Sequence, residues 1–254
     1  GNELLDGRVA DTNLTWFGRR LKILGFEISR SYTVRDDLDE IQLVLKAILE
    51  EDPLFVVTCG GLGPTWDDIT LQGIAEALGR RLKVNGLARE WTSRAVKGKM
   101  TPERLKMARL PEGATPLRNR IGVAPGVLIK EGHTILISLP GVPEEFAGIV
   151  EHEVIPRIRK RLGPRMTAES DLYVCGIPEA NAAPIVQVVR KEIKGIYVKT
   201  HVAYSTTRKI PIRIHLSYTG KNARQKVEEA RAKLGAMLKR IGGVFLRVPS
   251  DLRS

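Results

Sequence analysis

Apolar and polar residues along the first two thirds of the chain alternate between helical and strand periodicity. Several segments carry apolar residues on one helical face and stop at a glycine or a polar run. Short strand-like segments lie between them, and 54–59 is apolar on both faces, as a buried parallel strand is. The predicted helices are 13–25, 37–51, 68–78, 86–96, 102–109 and 143–161, and the predicted strands are 26–34, 54–59, 127–130 and 134–139. Strands that alternate with helices predict βαβ units, hence an α/β fold with three layers (α/β/α) and a mostly parallel sheet.

A different order of elements begins after Gly163-Pro164, which is the best linker candidate. The predicted elements are strand 171–175, helix 180–193, strands 196–204 and 210–218, helix 223–240 and a last short strand 244–248. Residues 205–209 would join the two central strands as a hairpin. This order predicts a smaller α+β domain with both helices on one face of its sheet. We therefore expect two domains, residues 1–165 and 166–254.

Charge and composition narrow the class of protein. The chain of 254 residues carries 41 basic and 29 acidic side chains, a net charge of +12. The excess is concentrated in 166–254, which indicates either a phosphate-rich partner or a charged surface that serves solubility or heat stability. No segment has the ~18 consecutive apolar residues of a membrane span and no secretory signal opens the chain, so we expect a cytoplasmic protein without membrane contact. Cys59 and Cys175 lie in apolar runs, which predicts buried free thiols.

The strongest candidate site is the glycine-rich segment that leaves strand 54–59 and enters helix 68–78. Glycines tolerate positive φ and let a ligand approach the backbone, and the helix offers free N–H groups to an anion. In an open α/β sheet, ligands bind at this carboxyl edge. The structural alternative is a tight turn in which Asp67 or Asp68 caps the helix. The expected phosphate-binding residues of the segment are Gly60, Gly61, Gly63, Thr65, Asp67 and Thr70.

Asp36 is a candidate at a second strand-to-helix junction, after strand 26–34. If that strand neighbours 54–59, Asp36 and Asp68 converge at one edge of the sheet. Two carboxylates there would hold Mg²⁺ or a similar divalent metal against a phosphate, or one would act as a general base. The alternative for Asp36 is a helix cap.

A third junction lies where strand 134–139 passes into helix 143–161. Gly141, Pro143 and Glu144 stand there, and proline suits the first helical turn. Less specific candidates are Asn13 and Glu3, in polar motifs near the start of the chain.

Together these segments resemble the N-terminal part of the competence/damage-inducible CinA proteins. The residues that carry the resemblance are Gly1-Asn2-Glu3-Leu4-Leu5 with Gly7, Asp11-Thr12-Asn13, Gly60-Gly61-Leu62-Gly63-Pro64-Thr65 with Asp67-Asp68-Ile69-Thr70, Asn119 before Ala124-Pro125-Gly126, and Leu139-Pro140-Gly141-Val142-Pro143. The resemblance covers residues 1–165 and implies the molybdopterin-binding (MoaB/Mog-type) fold of molybdenum cofactor synthesis. It also implies that Asp68 and Asp36 serve pterin-phosphate chemistry. The relatives usually have Gly-Gly-Thr-Gly, and Leu62 here replaces that threonine, as is usual in the CinA branch.

Residues 166–254 resemble the KH-like middle domain of CinA proteins. A nucleic-acid-binding KH module has a Gly-x-x-Gly loop, and none stands beside helix 180–193, so we expect a structural or dimerising module. Full-length CinA proteins often continue into a domain that deamidates nicotinamide mononucleotide, and this chain is expected to lack that activity. In the family a strand precedes Gly1 inside the sheet, so we expect about ten further residues before Gly1 in the natural protein.

The first function implied by the resemblance is a metal-dependent hydrolase of a nucleotide sugar diphosphate such as ADP-ribose. The loop 60–68 would hold phosphate, while Asp36 and Asp68 would bind a divalent metal and activate water. The supporting residues would be Asp67, Glu144 or Glu3.

Two other functions stay open. In one, the first domain binds molybdopterin or a similar pterin phosphate, although Leu62 in place of the usual threonine argues against it. In the other, the basic second domain binds nucleic acid. We also expect at least a dimer, because the second domain offers strand edges. Trp66, beside the glycine loop, would either stack on a ring or plug a hydrophobic gap.

Overall fold

The computed structural model describes residues 1–96, 99–163, 165–201 and 211–246. Its contacts divide the chain into two units, one of 1–19 with 28–163 and one of 20–27 with the described residues after 163. The sequence pattern did not predict that 20–27 groups with the second unit, because residues 20–23 continue the amphipathic helix that begins at Thr12.

The elements are numbered in chain order. The helices are α1 (Asn2–Leu5), α2 (Thr12–Ile23), α3 (Leu38–Glu50), α4 (Thr70–Ala77), α5 (Gly86–Ala95), α6 (Pro102–Lys106), α7 (Pro143–Ile149), α8 (Ile155–Leu162), α9 (Glu179–Glu192) and α10 (Ala223–Arg240). The strands are β1 (Phe55–Cys59), β2 (Leu82–Val84), β3 (Arg109–Pro111), β4 (Thr115–Leu117), β5 (Gly126–Glu131), β6 (Thr134–Leu139), β7 (Thr167–Cys175), β8 (Tyr197–His201), β9 (Ile212–Thr219) and β10 (Val244–Phe245).

The main sheet of the first unit has the order β1-β6-β5-β4. β1 and β6 are parallel, and their last residues, Cys59 and Leu139, lie opposite each other. β5 pairs antiparallel with β6, because a short turn at Gly132 joins the two strands directly. β4 pairs antiparallel with the other edge of β5. The predicted α/β class is confirmed, and its parallel pairing is the one between β1 and β6.

Helices cover both faces of this sheet. All six residues of β6 are buried, and since alternate residues point to opposite faces, both faces must be covered. On one face Leu136 belongs to a core shared with Ile74 of α4. Around α7, Phe146 makes edge-to-face ring contacts with Trp16 and Phe17 of α2.

The predicted strand 26–34 is wrong. The segment is irregular in the structure, and residues 29–33 are all exposed. Strand propensity does not suffice, because backbone N–H and C=O groups need a neighbouring strand, and this segment pairs with none of the described strands.

The predicted helix 143–161 is interrupted rather than continuous. α7 and α8 are separated by a π-helical turn, Val150–Val154. Pro156 stands in the first turn of α8. Proline has no N–H for the hydrogen bond of a regular helix, so the chain widens by one turn before it.

The second unit is the predicted α+β arrangement. Its sheet is antiparallel with the order β10-β7-β9-β8, and the elements follow the split-βαβ order β-α-β-β-α-β. The core joins sheet and both helices; its fully buried members include Val174, Val189, Ile214, Leu216, Leu234 and Leu238. The predicted hairpin 205–209 lies outside the described residues.

No helix in the described ranges is long and apolar enough to span a membrane.

The packing of α4 on α3 gives a stability test at Gly73. A methyl group on Gly73 would lie 2.5 Å from Cγ2 of Ile41, so we expect Gly73→Ala to lower the free energy of unfolding by about 1–3 kcal/mol through overpacking. Gly235→Ala in α10 is the matched control, because the nearest atom would lie 4.0 Å away, and it should raise that free energy by about 0.5–1 kcal/mol. Urea unfolding followed by circular dichroism measures both. Equal stabilisation by the two variants would contradict the close packing at Ile41.

Candidate ligand-binding site at the end of the parallel strands

The glycine-rich loop leaves β1 through two residues in the left-handed region. Gly60 has φ of 100° and Gly61 has φ of 66°. The N–H of Gly60 donates to the carbonyl of Leu139 at 2.9 Å, and the N–H of Thr70 donates to the carbonyl of Gly61 at 3.3 Å. A Cβ on Gly61 would overlap the Thr70 hydroxyl, so glycine is required there by both conformation and space.

Asp67 and Asp68 do not cap the following helix. α4 begins at Thr70 and has no side-chain cap. Instead Oδ2 of Asp68 accepts hydrogen bonds from Thr65 N at 2.9 Å and from Thr65 Oγ1 at 2.6 Å, and Asp67 Oδ1 also lies against that hydroxyl. A Cβ on Gly63 would overlap the Asp68 carboxylate. The loop is therefore closed on itself by polar contacts, and the first turn of α4 keeps N–H groups free of any side-chain cap.

The structure also brings Lys106 to this loop, a residue that no sequence pattern predicted. Its Nζ, at the end of α6, donates to the carbonyl of Thr65. The pKa of the Asp67 carboxyl is lowered, mainly by the Thr65 hydrogen bond and in part by the charge of Lys106. No sequence signal marks this lysine, because one basic residue at the end of a short helix is ordinary.

The turn after β6 lies beside this loop. A Cβ on Gly141 would be 3.4 Å from the Cα of Gly60. The buried Asn13 holds the turn in place, since its Nδ2 donates a hydrogen bond to the Gly141 carbonyl at 2.7 Å. Pro143 occupies the first turn of α7, which again has no side-chain cap. Glu144 is exposed at the same helix start.

A second overlooked residue, Glu145, holds the chain before β5 in place. Nδ2 of Asn119 donates to Glu145 Oε2 at 2.6 Å and to the Ala124 carbonyl at 2.9 Å. A Cβ on Gly122 would overlap the Glu145 carboxylate. Glu145 thus has a structural contact, while Glu144 stays a predicted phosphate-binding residue.

Two buried hydroxyls stand behind the loops. Thr58 lies opposite Ser138 across β1 and β6, one residue before both strands end. Neither side-chain oxygen has a hydrogen-bond partner in the part of the chain that the structure describes. Such groups in a native protein call for a ligand or bound water.

The hydrogen bond of Asp36 is made away from the glycine loop. Oδ2 of Asp36 accepts from the backbone N–H of Asn2 at 3.1 Å. The cap of α3 is its neighbour Asp37, so the structural alternative for Asp36 is wrong. Glu3 is exposed and acts on Cys59 through its charge.

The side chains that could bind a metal ion at this loop are carboxylates. Among the described residues no group of three or more His, Cys, Asp or Glu side chains is placed to hold a metal ion. Asp67 and Asp68 supply two carboxylates on one loop, which suits a Mg²⁺ ion that takes its remaining ligands from phosphate and water.

The cysteines differ from expectation. Cys59 is exposed as a residue and Cys175 is half-buried, so the predicted burial of both cysteine residues is wrong. Cys59 is exposed because it is the last residue of β1, which among the described strands pairs only with β6.

The Cys59 thiol is nevertheless crowded. Asn13 Nδ2 lies 3.1 Å from its Sγ, and the Pro140 carbonyl lies 3.7 Å away. Loss of water raises the pKa of the thiol to about 11; the charges of Asp11 and Glu3 act in the same direction and the hydrogen bond from Asn13 opposes them.

A pH series tests this environment of Cys59. In Cys175→Ser, which leaves one thiol, we expect alkylation by iodoacetamide at pH 8 to be about a hundredfold slower than for an ordinary cysteine, because the thiolate is the nucleophile. The rate should rise about tenfold per pH unit up to about 11, with circular dichroism confirming the folded state at each pH. A plateau already at pH 9 would contradict the crowded thiol.

Comparisons with known proteins agree on the first unit. A family model described as a probable molybdopterin binding domain matches residues 1–160. A solved structure titled as the protein CinA with unknown function, from Thermoplasma acidophilum, is 37% identical with a TM-score of 0.58, and the match covers 63% of this chain and 92% of that one.

Some relatives match nearly the whole chain. A protein of Metallosphaera sedula is 37% identical over 256 residues, which covers 98% of this chain and 95% of its own length. A protein of Aeropyrum pernix is 38% identical over 249 residues, with coverage of 96% and 92%. The chain therefore belongs to the family that carries the probable molybdopterin binding domain, and its first unit is similar to that of CinA.

Proposed function

We propose that the first unit binds a pterin phosphate such as molybdopterin, with its phosphate held where β1 and β6 end. The family description supports the pterin ligand. The observation that carries the proposal is the contact between the Gly60 and Gly141 turns, which makes one backbone surface from two loops.

That surface has the features of an anion site. Each of the two turns leads into a helix, α4 or α7, without a side-chain cap, so peptide N–H groups and the positive ends of two helix dipoles meet at one edge. In open α/β sheets this carboxyl edge is where ligands bind. The unpaired hydroxyls of Thr58 and Ser138 lie buried behind this surface, at the same end of the strands.

The charges of the loop fit a phosphate that is accompanied by a cation. Lys106 brings one positive charge to Thr65, while Asp67 and Asp68 bring two negative charges to the same loop. Mg²⁺ held by one of these carboxylates would offset their repulsion of a phosphate. Asp36 stays a predicted metal ligand; in the structure its carboxylate accepts a hydrogen bond from the N–H of Asn2.

The hydrolase hypothesis gains no support from the comparisons. Neither the family description nor the relatives point to ADP-ribose or to hydrolysis. Binding needs no catalytic pair, so we assign Asp36 and Asp68 no bond-breaking role. The predicted dimer, the KH-like character of the second unit and its nucleic-acid binding stay predictions.

Gly61→Ala tests the loop as the phosphate site. The residue has positive φ and no space for a Cβ, so the substitution must distort the loop. We expect the affinity for 6-hydroxymethylpterin phosphate, measured by calorimetry with Mg²⁺, to fall at least about tenfold. Gly79→Ala is the control, with φ of 63° and open space around it, and should bind as wild type does. Equal affinity of Gly61→Ala and wild type would overturn the loop as the site.

Lys106→Gln tests the positive charge at the loop. Loss of a charged donor to the phosphate should weaken the same ligand by about 10- to 100-fold and should reduce the salt dependence of binding. Lys83→Gln, which removes an ion pair with Glu112 elsewhere, should leave the affinity unchanged. If both lysine variants bind as wild type does, Lys106 has no part in the site.

A further inference from the structure

Trp66 is the most exposed large apolar side chain of the described residues, at 88% of its full exposure. It stands in the loop between Thr65 and Asp67, whereas Trp16 and Trp91 are half-buried. An exposed residue of this size does not plug a gap, so the second of the two sequence-based alternatives for Trp66 is wrong. In the described structure Trp66 has no ring or cation contact of the kind that Trp16 makes with Phe146.

The backbone that carries Trp66 is held on both sides. Before it, Thr65 is bound through its N–H and hydroxyl to Asp68 and through its carbonyl to Lys106. After it, the N–H of Asp68 donates to the Thr65 carbonyl at 3.3 Å, and the N–H of Ile69 donates to the Asp67 carbonyl at 2.9 Å. An aromatic ring on a fixed loop loses little conformational freedom when a ligand binds, so it is suited to recognition.

We propose that Trp66 is the stacking platform for a planar ring of the ligand. The inference rests on the proposed phosphate site, because both functions use one loop, with glycines at its start and Trp66 near its end. A ligand that satisfies both has a flat aromatic or heteroaromatic ring joined to a phosphate. A pterin phosphate has this form, whereas an aliphatic phosphate ester meets only the phosphate-binding part.

The polar surroundings of Trp66 favour a small heteroaromatic ligand over an apolar protein partner. Its neighbours in the loop are Thr65, Asp67 and Asp68, with Lys106 against the same backbone. A protein interface usually has an apolar centre with few charged residues. A single exposed indole among charged groups instead suits a ring whose edge carries hydrogen-bonding atoms and whose face stacks.

Two substitutions and two ligands separate stacking from phosphate binding. Affinities for 6-hydroxymethylpterin phosphate and for glycerol 3-phosphate, which has no ring, are measured by calorimetry for wild type, Trp66→Ala and Trp66→Phe. We expect Trp66→Ala to weaken the pterin phosphate about 5- to 100-fold and Trp66→Phe to stay within about threefold of wild type. Glycerol 3-phosphate should bind all three proteins equally. Because Trp66 is exposed, neither variant should unfold, and thermal melting verifies this.

The outcomes distinguish the two proposals. Equal affinity of Trp66→Ala and wild type for the pterin phosphate overturns the stacking role and leaves the phosphate site standing. A loss in Trp66→Ala that Gly61→Ala does not share supports stacking and overturns the glycine loop as the phosphate site. An equal loss for both ligands in Trp66→Ala overturns stacking, because the effect would then be on the loop. Failure of wild type to bind either ligand overturns both proposals.

Discussion

The parallel pairing of β1 with β6 is the constraint on which the candidate site depends. It sets Cys59 opposite Leu139, and the ladder continues for one more bond, from the N–H of Gly60 to the Leu139 carbonyl. Two turns that are far apart in the sequence are thereby fixed side by side. If the register shifted by one residue, every side chain of β1 would change face and Val56 would leave the core, so burial holds the site in place.

The approach of the two turns explains why small residues stand there. Gly60 and Gly141 nearly touch, and Gly61 and Gly63 each lie against a polar side chain that a Cβ would displace. Asn13 adds a buried hydrogen bond to the Gly141 carbonyl, and losing such a bond usually costs about 1–3 kcal/mol. The loop is thus shaped before any ligand arrives. A site formed in advance spends less of its binding free energy on ordering.

The charge of the chain does not by itself mark the site. The overall excess is +12, but at the glycine loop two aspartates face one lysine, Lys106. Local hydrogen bonds decide how those charges behave, since the Thr65 hydroxyl is the main cause of the lowered pKa of Asp67. In the proposed site an anion would therefore be recognised by backbone N–H groups, one cation and a shared metal rather than by a general positive field.

The sequence by itself determined the helix-forming segments, the strands 54–59 and 134–139 and the presence of a second unit, because these depend on local periodicity. It also determined the glycine loop, because glycine has a distinctive backbone preference. The sequence did not predict the features that depend on contacts with other parts of the chain. The segment 26–34 has strand-like alternation but pairs with no described strand. The predicted helix 143–161 is interrupted by a π-helical turn before Pro156, although its apolar pattern continues.

Tertiary structure alone decided which side chains meet at the site. Lys106 reaches Thr65, Glu145 meets Asn119, and Trp66 is exposed instead of filling a gap. Periodicity gives the face on which a residue lies, but not the element that will be packed against that face. Contacts between residues distant in the chain follow from the register of the sheet and the packing of helices, which no local pattern encodes.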